Sequence, residues 1–152
     1  FLTIVFLAFK SSVSNFIMQK RFYLDTSIWR DYYENRSDGL KPLGEFAFQF
    51  LKKCKKEKSL ILYSDLVEIE LKEFNEYLNE TKLENDLFLV KVNANEFQVK
   101  EAEKLFRKKQ IPFNDCLHAV LARDNNSILI SSDNHFQELN EIIEIFLPEE
   151  LL

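Results

Sequence analysis

The chain has 152 residues, 46% of them apolar and 30% charged, with a formal net charge of -5. That composition describes one globular domain long enough to bury a core, and its acidic balance excludes a protein that coats nucleic acid without specificity. Gly39 and Gly44 are the only glycines, which excludes a phosphate-cradling loop and a dinucleotide fingerprint, because each needs several glycines in one turn.

The opening stretch, FLTIVFLAF, is apolar but too short to span a bilayer as a helix. No basic residue precedes it, so it makes a poor secretory signal. The only methionine is Met18. The expectation is a native start at Met18, with residues 1–17 a non-native or disordered extension and residues 18–152 a single domain. A short membrane-facing anchor is the alternative for the extension.

RFYLD, residues 21–25, is a short apolar run closed by an acid and reads as a strand. Residues 28–36 read as a helix, broken around SDGLKP. From Gly44 to about Lys56, Phe46, Phe50 and Leu51 recur at helical spacing. SLILYS, residues 59–64, is strand-length, and Ser64 or Asp65 can cap a helix reaching about Leu78. LFLVKV, residues 87–92, alternates as a strand or a strand-like connector. A charged amphipathic helix spans 95–109. Pro112 stops it, Asn114 caps the next, and residues 115–124 form a buried helix. SILIS, residues 127–131, is a strand. A short helix follows from about His135, and EIIEIF, residues 141–146, is a last strand before Pro148. Strands alternating with helices imply an α/β fold, with a mainly parallel sheet covered on both faces. Ligands bind such sheets beyond the carboxyl ends of their strands.

Two lysine-rich stretches stand out, Lys52 to Lys58 and Arg107 to Lys109. They read as solvated helix ends, with a phosphate-contacting rim as the alternative. Cys54 and Cys116 lie far apart with no CxxC spacing, so they read as reduced core thiols of a cytosolic protein.

The acids carry the chemistry. Asp25 ends the first strand, and Asp133 follows the strand at 127–131. Asp115 lies in the first turn of the helix leading into that strand. A helix of ten residues rises about 15 Å and the strand returns about as far, so the helix start and the strand end share one edge. Glu70 falls on the apolar stripe of Val67 and Phe74, whereas Glu68 falls on a wetter face. Each acid has an ordinary reading too, Asp115 as a helix-start charge and Asp25 and Asp133 as turn formers. Together on one edge they repel one another unless a cation intervenes. Mg²⁺ or Mn²⁺ suits such oxygen ligands, and the resulting site suits phosphodiester hydrolysis. His118, inside CLHAVLA, reads as a satisfied core residue.

FYLDTSIW, SDLVEIELKEF, FNDCLHAVLA and ILISSDNHF, in that order and spacing, resemble the PIN-domain family, and within it the VapC-like toxin ribonucleases. The resemblance covers residues 20–147. It implies a three-layer α/β/α sandwich and a metal-dependent endonuclease acting on RNA. It further implies a homodimer and, for the toxin subgroup, an antitoxin occupying the active-site groove. Asp25, Glu70, Asp115 and Asp133 match the family's acidic positions, Thr26 and Ser27 its hydroxyls after the first aspartate, and Ser131 its usual threonine or serine; Asn114 is a further supporting residue. His135 departs from the family, many of whose members carry a second aspartate there. It reads either as a surface histidine or as a group near the scissile phosphate. The reading is of a cytoplasmic toxin without stable membrane insertion. The alternatives are a housekeeping RNA-processing nuclease of the same fold and a non-catalytic module binding RNA or protein. A phosphoryl-accepting domain ranks last, for want of an Asp-x-Asp at residue 25 and of a lysine after ILIS.

Overall fold

Five strands, Arg21–Leu24 (β1), Leu60–Ser64 (β2), Phe88–Val92 (β3), Ile128–Ile130 (β4) and Ile145–Phe146 (β5), form one all-parallel sheet in the order β3-β2-β1-β4-β5. The computed structural model describes residues 19–74, 76, 78 and 87–152, so the expectations about the first seventeen residues and Met18 lie outside the described residues. Helices connect the strands: Thr26–Glu34 (α1), Leu43–Glu57 (α2), Asp65–Glu73 (α3), Glu96–Lys109 (α4) and Phe113–Asp124 (α5). Short 3₁₀ turns at Asn134–Leu139 and Pro148–Leu151 complete the chain. Among the described residues no helix is long and apolar enough to cross a membrane.

Because side chains alternate across a strand, each central strand feeds two cores. Phe22 and Leu24 of β1, Ile61 of β2 and Ile130 of β4 point to the layer holding Trp29, Phe50, Leu51 and Val67. Tyr23, Leu62 and Leu129 point to the other layer, with Leu117, Leu121 and Phe136. The result is an α/β/α sandwich. Residues Cys116 to Ala122 are all buried, because α5 lies between the sheet and α4. The two helices run antiparallel, as the bonds from Arg123 to Glu101 (2.6 and 2.7 Å) and from Gln98 to Asp124 (3.0 Å) show.

The strand order sets the site. The chain steps outward from β1 to β2 to β3, then returns to place β4 on the other side of β1. The carboxyl ends of β1 and β4 therefore flank the topological switch point, where a crevice opens. The lysines at 55 and 56 sit in the last turn of α2, at the edge where β2 begins. That edge is opposite the acids, so for this stretch the helix-end reading holds.

Three local expectations need correction, and a fourth, left open between two residues, is settled. The helix expected to reach Leu78 ends at Glu73, and Phe74 caps it, 43% exposed, with the Arg30 guanidinium 3.4 Å above its ring. Phe74 is thus no part of a buried stripe. Ser64, rather than Asp65, caps α3, accepting from the Val67 amide at 3.3 Å. Pro112, not Asn114, holds the N-cap position of α5, and Asn114 is already helical. The last strand is only two residues long, because the amides of Ile142 and Ile143 turn back to the Leu139 carbonyl at 2.9 and 3.3 Å.

Gly44 lets α2 approach the end of α1. Its amide donates to the Arg36 carbonyl at 2.9 Å. A Cβ there would lie 2.5 Å from Asn35 Oδ1 and 2.6 Å from Asn35 Cα. Gly44→Ala should therefore destabilise the domain by about 1–3 kcal/mol through overpacking. A urea titration should show a lower midpoint at constant slope; an unchanged midpoint would contradict the packing.

Candidate active site

Asp25 follows β1 directly and is 5% exposed. Its amide donates to the Ile130 carbonyl at 3.2 Å, continuing the β1–β4 ladder by one residue. Ser27 Oγ donates to Oδ1 at 2.6 Å and Ser131 Oγ to Oδ2 at 3.0 Å. The serines are themselves held, since Ser27 Oγ accepts from the Ser132 amide at 3.1 Å and Ser131 Oγ from the Asp133 amide at 3.0 Å. Asp25 is thus a tie between the two strands at the switch point as well as a site acid.

Behind it lies a layer that sequence reasoning missed. Asp31, buried in α1, accepts from Arg36 Nε at 2.8 Å and Ser132 Oγ at 2.7 Å. Arg36 also donates to the Ser27 carbonyl at 3.1 Å. These contacts cross from α1 to the segment after β4, a pairing of distant positions that no local spacing signals.

Glu70 is half-buried where three helices meet. Thr26 Oγ1 from α1 donates to Oε2, Asn114 Nδ2 from α5 donates to Oε1 at 2.8 Å, and His118 Nε2 stands 3.0 Å from Oε2. His118, 2% exposed, is the satisfied core residue expected, but its partner is a site acid. Nε2 faces a carboxylate and so carries a proton. Its Nδ1 lies 2.8 Å from the Tyr23 hydroxyl, itself 2.7 Å from Ser64 Oγ. The alternation of β1 that turns Tyr23 away from Phe22 and Leu24 was the signal that could have found this chain. Glu68 does not line the cleft; it pairs with Lys91 at 2.5 Å.

Asp115, in the first turn of α5, and Asp133, after β4, face the same cleft as Asp25 and Glu70, a space of about 610 Å³. His135 reaches this edge too. Asp115, Asp133 and His135 each offer one ligand atom, all within 4.8 Å of one another. Neither Asp25 nor Glu70 belongs to that closest trio. Thr26, Ser27, Asn114 and Ser131 all bond site acids, Asn114 by its side chain rather than as a cap.

Burial holds the Asp25 carboxyl up at about 7, partly offset by the His118 charge and the two serine bonds. Burial, then the neighbouring Asp133 charge, raises Asp115 to about 6. Burial also pushes Glu70 up, but the hydrogen bond and charge of His118, with the bonds from Thr26 and Asn114, outweigh it and hold the carboxyl below the usual range. Two acids held above their ordinary values by desolvation and by neighbouring carboxylates call for positive charge, and an oxygen-preferring divalent cation fits that need.

The sequence matches the family model described as PIN domain over residues 22–142. No curated protein sequence matches it. Among solved structures, the fold resembles a toxin–antitoxin complex from Klebsiella pneumoniae, with a TM-score of 0.60, 14% identity, and 83% of this chain and 96% of that one covered. It also resembles VapBC2 from Rickettsia felis bound to a promoter DNA fragment (TM-score 0.57, 18% identity, 84% and 98% covered). A third likeness is to VapBC-1 from nontypeable Haemophilus influenzae (TM-score 0.57, 17% identity, 85% and 98% covered). At these identities the likeness is one of fold.

The raised carboxyls have a consequence for stability. Asp25 and Asp115 hold protons in the fold that the unfolded chain releases near 3.8, so the cation-free protein should lose stability as pH rises through about 6 and 7. Glu70 acts oppositely, its stabilisation being present above the ordinary glutamate range and lost as pH falls. Thermal unfolding in EDTA should therefore show a falling midpoint from pH 5 to 8, and saturating Mg²⁺ or Mn²⁺ should remove that fall. A pH-independent midpoint in EDTA would contradict the electrostatics.

Proposed function

This chain belongs to the PIN-domain family, a family of nucleases, and on that premise we propose that it is a divalent-metal-dependent endoribonuclease, the toxin of a toxin–antitoxin pair. The observation that carries the reading is the meeting of Asp25, Glu70, Asp115 and Asp133 on one cleft at the β1/β4 switch point.

Asp25, Asp115 and Asp133 are the residues that would hold Mg²⁺ or Mn²⁺. Such an ion, when bound, neutralises charge on the reacting phosphate and makes water more acidic. The chain's own groups do the positioning. Ser27 and Ser131 fix both oxygens of Asp25. Thr26, Asn114 and His118 fix both oxygens of Glu70, which keeps that acid ionised and aimed at the cleft. A pre-set array of carboxylates of this kind favours the transition state because it need not reorganise during reaction.

The antitoxin is proposed from the described assemblies of similar structures, a toxin–antitoxin complex and VapBC complexes. A homodimer follows from the family resemblance. A cytoplasmic setting accords with two free, buried cysteines.

Purified protein, incubated with a mixed single-stranded RNA pool, should cleave with Mg²⁺ or Mn²⁺ and not with EDTA. Asp115→Asn should abolish cleavage. Ser131→Ala, which removes one support of Asp25, should lower it about 10–100-fold. Full activity of Asp115→Asn and Asp25→Asn would overturn the assignment. For the toxin reading, expression of the chain alone should arrest growth of its host, and co-expression of the protein encoded next to it should restore growth and copurify. Growth unaffected by an RNA-cleaving chain would favour the housekeeping nuclease.

A further inference from the structure

His135 gives the cleft a donor that a carboxylate-only site lacks. Its amide donates to Asp133 Oδ1 at 3.0 Å, a local turn that swings the ring back over the acids. Its Nδ1 lies 3.3 Å from Asp133 Oδ1 and 3.6 Å from Asp115 Oδ2. Charge-assisted N–H···O⁻ bonds close to about 2.7–2.9 Å, and neither contact does so. Atoms sharing one ion at about 2.0–2.2 Å instead stand about 3.0–3.5 Å apart, depending on whether the ion is six- or four-coordinate. The 3.3 Å separation from Asp133 falls in that range and the 3.6 Å separation from Asp115 just beyond it, with the nitrogen between two carboxylates and all three ligand atoms within 4.8 Å of one another.

We propose that His135 is a nitrogen ligand to the ion held by Asp115 and Asp133, and that it turns the site's preference away from Mg²⁺ and toward ions that accept imidazole, such as Co²⁺ and Zn²⁺. The inference rests on the reading of the cleft as a cation site and adds the selectivity of that site. Mg²⁺ favours oxygen ligands in near-octahedral geometry, whereas imidazole suits the later first-row ions. No other imidazole can serve. The chain has two histidines, and both ring nitrogens of His118 already face Tyr23 and Glu70. His135 itself is free to move onto an ion, its side chain being 64% exposed.

The test is calorimetric titration of tag-free protein with Mg²⁺, Co²⁺ and Zn²⁺, for the unaltered chain, His135→Asp, His135→Ala and Asp115→Asn. A second readout is the pulsed electron-spin spectrum of bound Mn²⁺, in which a directly bound imidazole nitrogen modulates the echo. The unaltered protein should show that modulation, and both His135 variants should lack it. His135→Asp should lower the preference for Co²⁺ over Mg²⁺ by at least about tenfold. Circular dichroism should show both His135 variants folded, as expected for substitution of a side chain that is 64% exposed. An unchanged preference in His135→Asp, with no nitrogen modulation in the unaltered chain, would overturn the proposal. If Asp115→Asn then abolished binding, the cation site itself would stand. Absence of divalent binding to the unaltered chain would overturn the site reading and this proposal together.

Discussion

The burial of Asp25 is the constraint around which the rest of the site is arranged. A carboxylate removed from water carries a penalty of several kcal/mol unless it is bonded and balanced by charge. The fold meets half of that requirement. Two serines, one from each side of the β1/β4 crevice, occupy its oxygens, and its amide extends the strand ladder. The remaining demand is electrostatic, and it keeps the carboxyl at about 7. A site with unmet negative charge at a topological switch point is prepared for a cation before any substrate arrives. The Arg36–Asp31–Ser132 contacts matter for the same reason, because they hold the segment that carries Ser131 against α1.

Much of this was legible in the sequence because it followed from period and position. The acids ending β1 and following β4 could be placed on one edge without coordinates, and Asp115 followed from the out-and-back path of α5 and β4. Glu70 was singled out on an argument that was partly wrong, although its side chain does line the cleft. Val67 is buried, but Phe74 lies past the helix end and packs under Arg30. What draws Glu70 inward is the set of donors on two other helices. Asn114 illustrates the same limit. Its type suggested a cap, a local role, whereas its amide serves a contact 44 residues away. Side-chain bonds between distant segments leave no trace in local spacing, which is why Tyr23, Asp31, Arg36 and Ser132 went unnoticed.

The acids divide into two kinds by how fully they are bonded. Asp25 and Glu70 have both oxygens engaged by protein donors and are tied to several elements at once. Asp115 and Asp133 keep side-chain oxygens toward the cleft, and among the described residues the hydrogen bond to the Asp133 carboxylate comes from the local amide of His135, whose ring stands 3.3 Å away. Engaged carboxylates stabilise the architecture and resist movement, while open ones can accept a ligand without breaking protein contacts. Asp25 stands between the two kinds, tied by its serines and still lining the cleft. Removing an engaged acid disturbs three helices or two strands, whereas removing an open acid breaks few protein contacts.

That division also bears on how far the ion can be chosen by the protein. The engaged acids are fixed by neighbours on separate elements, so a change there alters packing before it alters preference. The open side of the cleft is different. Asp133 and His135 lie on one short turn beyond β4, and their side chains, 40% and 64% exposed, can change without cost to either core, whereas Phe136 beside them is buried. Donor chemistry at this edge is therefore nearly independent of the fold, and a nitrogen can replace an oxygen there while the same sheet, the same serine ties and the same three-helix junction stay in place. On the reading proposed for this cleft, metal preference would be a property of one turn set on a rigid frame, open to change without disturbing the frame that makes the site acidic.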